Sequence, residues 1–170
     1  MVDINKNILS QKNLYYGEIS MPKGFEIDRD ILRKDIINHQ IQDCEFPFSR
    51  QFDKLNTYLI EHINVLYEFT LINKFITGYS FKPDTVSYPI IDAELLDLRN
   101  SADFTMLYGV HVKNCSVKIY YNDNRRKQRS WDIPLENNRF IMFPSTQQYV
   151  ITNNQKDNLN MILKITYEYI

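Results

Sequence analysis

Apolar and polar residues alternate with a period of two from residue 75 to the end of the chain, and only short turn-rich pieces interrupt the pattern. Because successive side chains of a strand point to opposite faces, this alternation predicts strands with one buried face. Eight short strands at fairly regular spacing favour two packed antiparallel sheets, a sandwich or jelly roll, over an alternating βαβ fold. The eight runs are KFITGYSF, TVSYPII, DFTMLYGVHV, CSVKIYY, RSWDI, RFIMF, QQYVIT and NMILKITYEYI.

The N-terminal part predicts one strand followed by two helices. The run NLYYGEIS (13–20) is aromatic and roughly alternating, and residues 28–41 place apolar groups at helical intervals after Asp28, a suitable N-cap. The apolar stripe of this helix should face a sheet. It consists of Ile27, Ile31, Ile36 and Ile37.

A second, longer helix is predicted over residues 50–71, with Ser49 as its cap. Its apolar residues recur at steps of three and four, so the helix should be amphipathic and packed. They are Phe52, Leu55, Leu59, Ile63 and Leu66. The expected fold class is α+β, an antiparallel double sheet with the N-terminal helices packed on one sheet. A chain of 170 residues that is 44% hydrophobic suits a single domain over 1–170, with the strand and helices in 1–74 and the strand-rich part in 75–170.

The charge balance and the apolar runs limit the possible partners. Twenty basic residues oppose 21 acidic ones, which argues against a nucleic-acid partner. The apolar runs are only a few residues long and the N-terminus lacks a signal-peptide pattern, so we expect a soluble intracellular protein with no membrane contact. Cys44 and Cys115 form no CxxC pair, and the four glycines form no phosphate-binding loop, so no zinc knuckle or nucleotide site is predicted.

Three histidines limit the possible metal chemistry. His39 and His62 lie on the predicted helices and are expected to make ordinary hydrogen bonds. His111 is the metal candidate, since it should share a strand face with Leu107 and Gly109. A non-haem iron site usually begins with His-x-Asp or His-x-Glu, but two positions after His111 the chain has Lys113, which cannot bind a cation while it is protonated.

No other catalytic group has its usual context. Ser145 lacks a GxSxG elbow, and Asp92, Glu94 and Asp97 resemble turn and surface groups. We therefore predict no catalytic residue.

A basic run stands beside the only tryptophan, Trp131. The run RRKQR includes Arg125, Arg126 and Arg129 and should form the tip of a hairpin over 122–131. Such a tip is either simply solvated or binds phosphate or an acidic partner.

The C-terminal segments CSVKIYYND, LENNRFIMFPS and NLNMILKITYEYI resemble the double-stranded β-helix of phage and bacterial 2-oxoglutarate/iron(II)-dependent oxygenases. The resemblance covers residues 100–170, and its most specific piece is NNRFIMFPS. It implies a jelly roll, an iron site with two histidines and one carboxylate, and a basic residue on the last strand that holds the 2-oxoglutarate carboxylate.

This chain departs from that pattern at each functional position. Gln148 or Tyr149 stands where the family has a histidine after the FPS stretch, and Tyr108 and Val110 fall on the proximal ligand positions. Asn158 or Asn160 matches the basic residue, which leaves Lys164, further along the strand, as the candidate for cofactor binding. The resemblance thus implies an oxygenase-like fold that has lost its metal ligands, with no cofactor.

The resemblance also extends to small proteins of large tailed phages. The first hypothesis is therefore a non-enzymatic structural or assembly component of the virion, assembled in the host cytoplasm, whose partners are other virion proteins or copies of itself. Its contacts would come from exposed aromatic residues and the hairpin, and the edge of the last strand (165–170) would pair with a neighbour. The predicted interaction residues are Arg125, Arg126, Arg129, Trp131, Tyr149, Tyr167 and Tyr169.

Two alternatives stay open. The first is an active 2-oxoglutarate/iron oxygenase in which His111 and an unplaced carboxylate bind the metal. The second is a sugar- or peptide-binding jelly roll with a stacking groove of Tyr108, Tyr120, Tyr149 and Trp131.

Overall fold

The structure is a computed structural model that describes residues 12–18, 28–42, 50–81, 88–89, 102–120, 130–153 and 160–170. These residues form two helices and nine strands. The helices are α1 (Arg29–Gln42) and α2 (Arg50–Tyr67). The strands are β1 (Tyr15–Glu18), β2 (Leu71–Phe81), β3 (Tyr88–Pro89), β4 (Phe104–His111), β5 (Cys115–Tyr120), β6 (Ser130–Leu135), β7 (Arg139–Pro144), β8 (Tyr149–Asn153) and β9 (Asn160–Tyr169).

The strands build two antiparallel sheets. One sheet has five strands in the order β1-β7-β4-β9-β2, and the other has four in the order β3-β8-β5-β6. The chain crosses repeatedly between the sheets, so most hydrogen-bonded neighbours are distant in sequence. This arrangement confirms the predicted α+β fold with a jelly roll.

Both helices cover one face of the five-stranded sheet. Asp28 caps α1, because its carboxylate accepts hydrogen bonds from the backbone N–H groups of Asp30 and Ile31 at 3.0 and 3.2 Å. Near the C-terminal end of α2, the Asn64 side chain donates to the Leu71 carbonyl and accepts from the Leu71 N–H, each at 3.1 Å. These two bonds fix the end of α2 to the first residue of β2.

Two apolar cores lie on opposite faces of the five-stranded sheet. The first joins the helices to the sheet, for example Leu32, Leu59 and Met106. The second fills the space between the two sheets, which we call the barrel interior. Its side chains come from β4, β7 and β9 on one side and from β5, β6 and β8 on the other: Leu107, Ile141, Phe143, Ile162, Val117, Ile119, Ile133, Leu135, Tyr149 and Ile151.

A bulge interrupts the pairing of β4 with β9. Gly109 pairs with Ile162, but the next pair joins His111 to Met161, so Val110 is the extra residue. Gly109 is required beside the bulge, because a Cβ there would lie 2.1 Å from the Glu136 carbonyl oxygen.

The helix faces differ in part from the prediction. Over residues 29–38, the part of α1 whose burial is described, the buried residues are Leu32, Asp35 and Ile36, while Ile37 is exposed, so the buried face is rotated from the predicted stripe. Ile27 lies outside the described residues. In α2, Leu55, Leu59 and Ile63 are buried as predicted.

The C-terminal end of α2 was predicted wrongly. The helix ends at Tyr67 and not at residue 71, because Glu68 adopts a positive φ of 54°. Leu66, which was expected on the packed face, is 55% exposed.

The prediction that residues 165–170 form a free strand edge is also wrong. Strand β9 pairs with β2 on one side and β4 on the other, so its backbone groups are already used within the chain. It therefore offers no edge to a neighbouring subunit.

Candidate functional site in the barrel interior

Gln148 and Tyr149 stand where the resemblance expects a histidine after the FPS stretch, and of the two Tyr149 is buried. It begins β8, pairs with Ile119 of β5 and points into the barrel interior. Its ring is 6% exposed and packs at 4.8 Å, centroid to centroid, against Phe143. An apolar aromatic contact thus fills this part of the interior.

Lys164 also points into the barrel interior. It pairs with Leu107, and alternation along β9 places it on the same face as Ile162. The side chain is 8% exposed, and burial lowers the pKa of its ammonium group to about 8. A lysine whose charge has lost most of its hydration suits a bound carboxylate or a proton transfer near neutral pH.

Short polar side chains lie on the same face as Lys164. Thr166 follows it by two residues and pairs with Thr105 across β4. The Thr105 hydroxyl is 2.9 Å from the Ser145 hydroxyl, and all three side chains are buried. The barrel interior is therefore polar around the Thr166 end of β9.

Asn160, which matches the family's basic residue by sequence, has a structural role. Its side chain accepts from the Lys113 N–H at 2.9 Å and donates to the Lys113 carbonyl at 3.0 Å, and it also hydrogen-bonds to Asn153. These contacts link the β4–β5 connection to the ends of β8 and β9. Lys164 is thus the basic residue that the described part of β9 directs inward.

His111 lies outside the barrel interior, which corrects its predicted position. The bulge at Val110 shifts the alternation, so His111 shares the helix-facing side of the sheet with its partner Met161. There it lies near two arginines of α1. Burial lowers the pKa of His111, and the positive charges of Arg33 and Arg29 lower it further.

The surroundings of His111 do not suit a metal ion. Arg29 donates from Nη1 to the Val110 carbonyl at 3.2 Å, which holds one guanidinium beside the strand end. Two positive groups repel a divalent cation, while Asp30, the nearby acidic group, lies 3.6 Å from Arg33. His111 is therefore better explained as a packing residue under α1.

The described residues do not fit the iron site that the fold family implies. Within the ranges given above, no group of three or more His, Cys, Asp and Glu side chains could hold a metal ion. His62 stacks on Tyr58 on α2, with ring centroids 5.5 Å apart. The predicted turn carboxylates Asp92, Glu94 and Asp97 and the basic residues Arg125, Arg126 and Arg129 lie outside the described residues.

The predicted aromatic contact residues separate into two groups. Trp131 and Tyr169 are 50% and 49% exposed and remain available to a partner. Tyr167 is fully buried in the helix-facing core, and Tyr149 is buried in the barrel interior, so the prediction of surface contacts through these two rings is wrong. The prediction failed for both rings because alternation divides a strand into two faces but does not show which face is buried.

The prediction that four aromatic residues form a stacking groove is also wrong. Tyr108 faces the helices, donates its hydroxyl to Asn138 at 2.7 Å and has its pKa raised by burial. Tyr120 is on the opposite face of β5 from Ile119, whereas Trp131 pairs with Ile119 and shares its face. The four rings therefore do not line one surface.

An open cavity of about 680 Å³ lies where the two sheets separate at one flank. Trp131 and Ile119 of the four-stranded sheet line it, together with Phe143 of β7 and Tyr16 of β1. Tyr16 pairs with Ile141 and therefore lies on the inner face of the five-stranded sheet. Its side chain is exposed, so the four-stranded sheet does not cover it. The sequence pattern identified Trp131 but missed Tyr16. Its position follows from the long-range pairing of β1 with β7.

The comparisons with known proteins agree with the jelly roll. No family model matches the chain, and no curated protein matches it by sequence. Among solved structures, a prolyl-4-hydroxylase from Pseudomonas putida aligns with a TM-score of 0.60 and 9% identity, over 92% of this chain and 88% of that one. The α-ketoglutarate-dependent carbocyclase SnoK from nogalamycin biosynthesis aligns with a TM-score of 0.62 and 9% identity, over 91% and 78%.

A third neighbour is longer. The α-ketoglutarate-dependent epimerase SnoN, also from nogalamycin biosynthesis, aligns with a TM-score of 0.54 and 12% identity, over 71% of this chain. The aligned part spans 57% of the length of SnoN. These likenesses show the fold of non-haem 2-oxoglutarate oxygenases, the double-stranded β-helix. Separately, no helix within the described ranges is long and apolar enough to cross a membrane.

Proposed function

We propose that this protein is a non-enzymatic structural or assembly component of a tailed phage particle, built on an oxygenase-type jelly roll. The observation that carries the proposal is Tyr149, which packs against Phe143 where the resemblance expects a metal-binding histidine. A phenol in an aromatic contact is a poor substitute for imidazole as a ligand to Fe(II). The position of His111 under α1, beside Arg29 and Arg33, supports the same conclusion.

The partners in this proposal are other virion proteins or copies of the chain. The exposed rings of Trp131 and Tyr169 suit such contacts, because aromatic side chains contribute a large contact area with few rotatable bonds. Mass spectrometry of gradient-purified particles tests the proposal: the protein should co-purify with intact virions. Recovery only in the soluble lysate of infected cells would contradict it.

A second candidate function is an active 2-oxoglutarate/iron(II) oxygenase with atypical ligands. Lys164 favours it, since a buried ammonium group that points into the barrel interior fits the carboxylate of 2-oxoglutarate. In that function, Lys164 would hold and orient the cosubstrate.

An anaerobic titration of the purified protein with Fe(II) and 2-oxoglutarate separates the two functions. The first proposal expects no charge-transfer band in the visible spectrum from a folded sample. A saturable band that disappears in Lys164→Met would support the enzyme. His111→Ala tests whether the histidine is a ligand, and an unchanged band in that variant would place the metal elsewhere.

A further inference from the structure

We propose that the flank cavity between β1 and β6 is a carbohydrate-binding site, distinct from the position that the fold family uses for iron and 2-oxoglutarate. Tyr149 and Lys164 lie on β8 and β9, whereas the cavity is lined from β1, β5, β6 and β7. The two regions adjoin where Phe143, which lines the cavity, packs against Tyr149.

The first support is the pair of exposed aromatic side chains at the cavity. Trp131 is 50% exposed and Tyr16 is 54% exposed, and each projects from the inner face of its sheet. Inner-face aromatic residues are normally covered in a two-sheet fold, since that face builds the core. Two flat rings on opposite walls leave an apolar surface on which a sugar ring can stack.

The second support is the polar part of the lining. Lys12, Asn13 and Gln147 supply an ammonium group and two amides at the rim. The Asn13 and Gln147 amide nitrogens already donate to the Tyr15 hydroxyl and the Tyr120 carbonyl, so their amide oxygens are the atoms that can accept hydrogen bonds from sugar hydroxyl groups. The ammonium group of Lys12 can pair with a carboxylate, so an acidic sugar is a candidate ligand as well as a neutral one.

The third support is size. About 680 Å³ lies in the range of roughly 300–1,000 Å³ typical of small-molecule pockets, so the cavity has room for a short oligosaccharide. A closed apolar pocket would favour a lipid, but this cavity opens to solvent and mixes aromatic with amide groups. That combination favours a hydrophilic ligand with apolar ring faces.

Intrinsic fluorescence tests the proposal directly, because Trp131 is the only tryptophan in the chain. The full chain is titrated with a panel of trisaccharides: maltotriose, cellotriose, triacetylchitotriose and trigalacturonic acid. At least one should shift or quench the tryptophan emission in a saturable manner. Absence of a saturable response to all four, confirmed by a broad glycan array, would overturn the proposal.

Variants identify the site, with affinity measured by calorimetry because one of them removes the fluorophore. Trp131→Ala and Gln147→Ala should each weaken binding about tenfold or more. Tyr169→Ala is the matched control, since Tyr169 is 49% exposed but is not among the described residues that line the cavity, and it should bind like wild type. Equal affinity in wild type and both site variants would refute the proposal. Binding to a peptide array by a protein that binds none of the sugars would refute it as well.

Discussion

Gly109 and Lys164 illustrate why single positions in this fold have unequal consequences. Gly109 lies against the backbone of the β6–β7 turn, and Lys164 brings a charge into an otherwise largely apolar interior. Sequence reasoning identified Lys164 as a substitute, because the family's basic position falls on Asn158 or Asn160 and Lys164 lies further along the same strand. It could not identify the contact of Gly109 with Glu136, because that contact depends on how a distant turn packs.

Replacement of Gly109 by alanine should destabilise the protein by about 3 kcal/mol. The new Cβ would lie 2.1 Å from the Glu136 carbonyl oxygen and 2.8 Å from Val112 Cγ2, so backbone must move. Gly17→Ala is the control, because a Cβ there would lie 3.6 Å from the Phe140 ring in ordinary contact. Urea denaturation should separate the two variants, and equal midpoints would contradict the packing described at the bulge.

Replacement of Lys164 by methionine should stabilise the protein at pH 7 by about 1–3 kcal/mol, because the variant no longer buries a charge. Burial lowers the lysine pKa from 10.5 to about 8, so between these values the unfolded chain binds a proton that the folded chain has lost. Stability contributed by Lys164 therefore rises with pH through this window, and Lys164→Met should remove that slope.

The measurement is urea denaturation of wild type and Lys164→Met at pH 7.0 and 9.5. The difference between the two proteins cancels the contribution of the tyrosines. Lys113→Met, at an exposed lysine, controls for the loss of one positive charge. A less stable Lys164→Met at pH 7 would indicate that the contacts of the ammonium group outweigh the cost of burying its charge.

Helix α2 shows which features of an element the sequence reveals. Steps of three and four correctly identified Leu55, Leu59 and Ile63 as the packed face. The same pattern wrongly included Leu66, because periodicity does not show where the supporting sheet ends. The positive φ of Glu68, in a residue type that rarely adopts it, gave no sequence signal either.

Two identical substitutions on α2 test this face. Leu59→Ala should cost about 2–5 kcal/mol, because Leu59 is fully buried between helix and sheet. Leu66→Ala, at a 55% exposed position on the same helix, should change stability by less than about 0.5 kcal/mol. Thermal or urea denaturation measures the stability of both variants. Similar losses of stability would show that Leu66 is packed, as the sequence predicted.

The whole molecule depends on its last strand. Strand β9 lies between β2 and β4 and contributes side chains to both cores. The sequence predicted the number and positions of the strands well, because alternation is local. It did not reveal their order, since β1 pairs with β7 and β2 pairs with β9, strands that are far apart in the chain.

Removal of residues 165–170 should therefore prevent folding. The deletion takes away the partners of Leu71 to Ile76 on β2 and of Phe104 to Met106 on β4. Circular dichroism should show loss of the cooperative thermal transition, and size-exclusion chromatography should show aggregated or expanded chain. A truncated protein that folds as a monomer and has lost only self-association would instead support the prediction that this strand pairs with a neighbouring subunit.

The position of β9 between β4 and β2 also has a consequence for biosynthesis. A ribosome releases the chain from the N-terminus, so α1, α2 and β2 emerge long before the strand that completes the sheet beneath them. Until residues 160–169 have left the exit tunnel, the apolar faces of both helices lack their full partner surface. This sheet is therefore expected to fold only after β9 has been made, and nascent chains that lack β9 should depend on chaperones that shield exposed apolar surface.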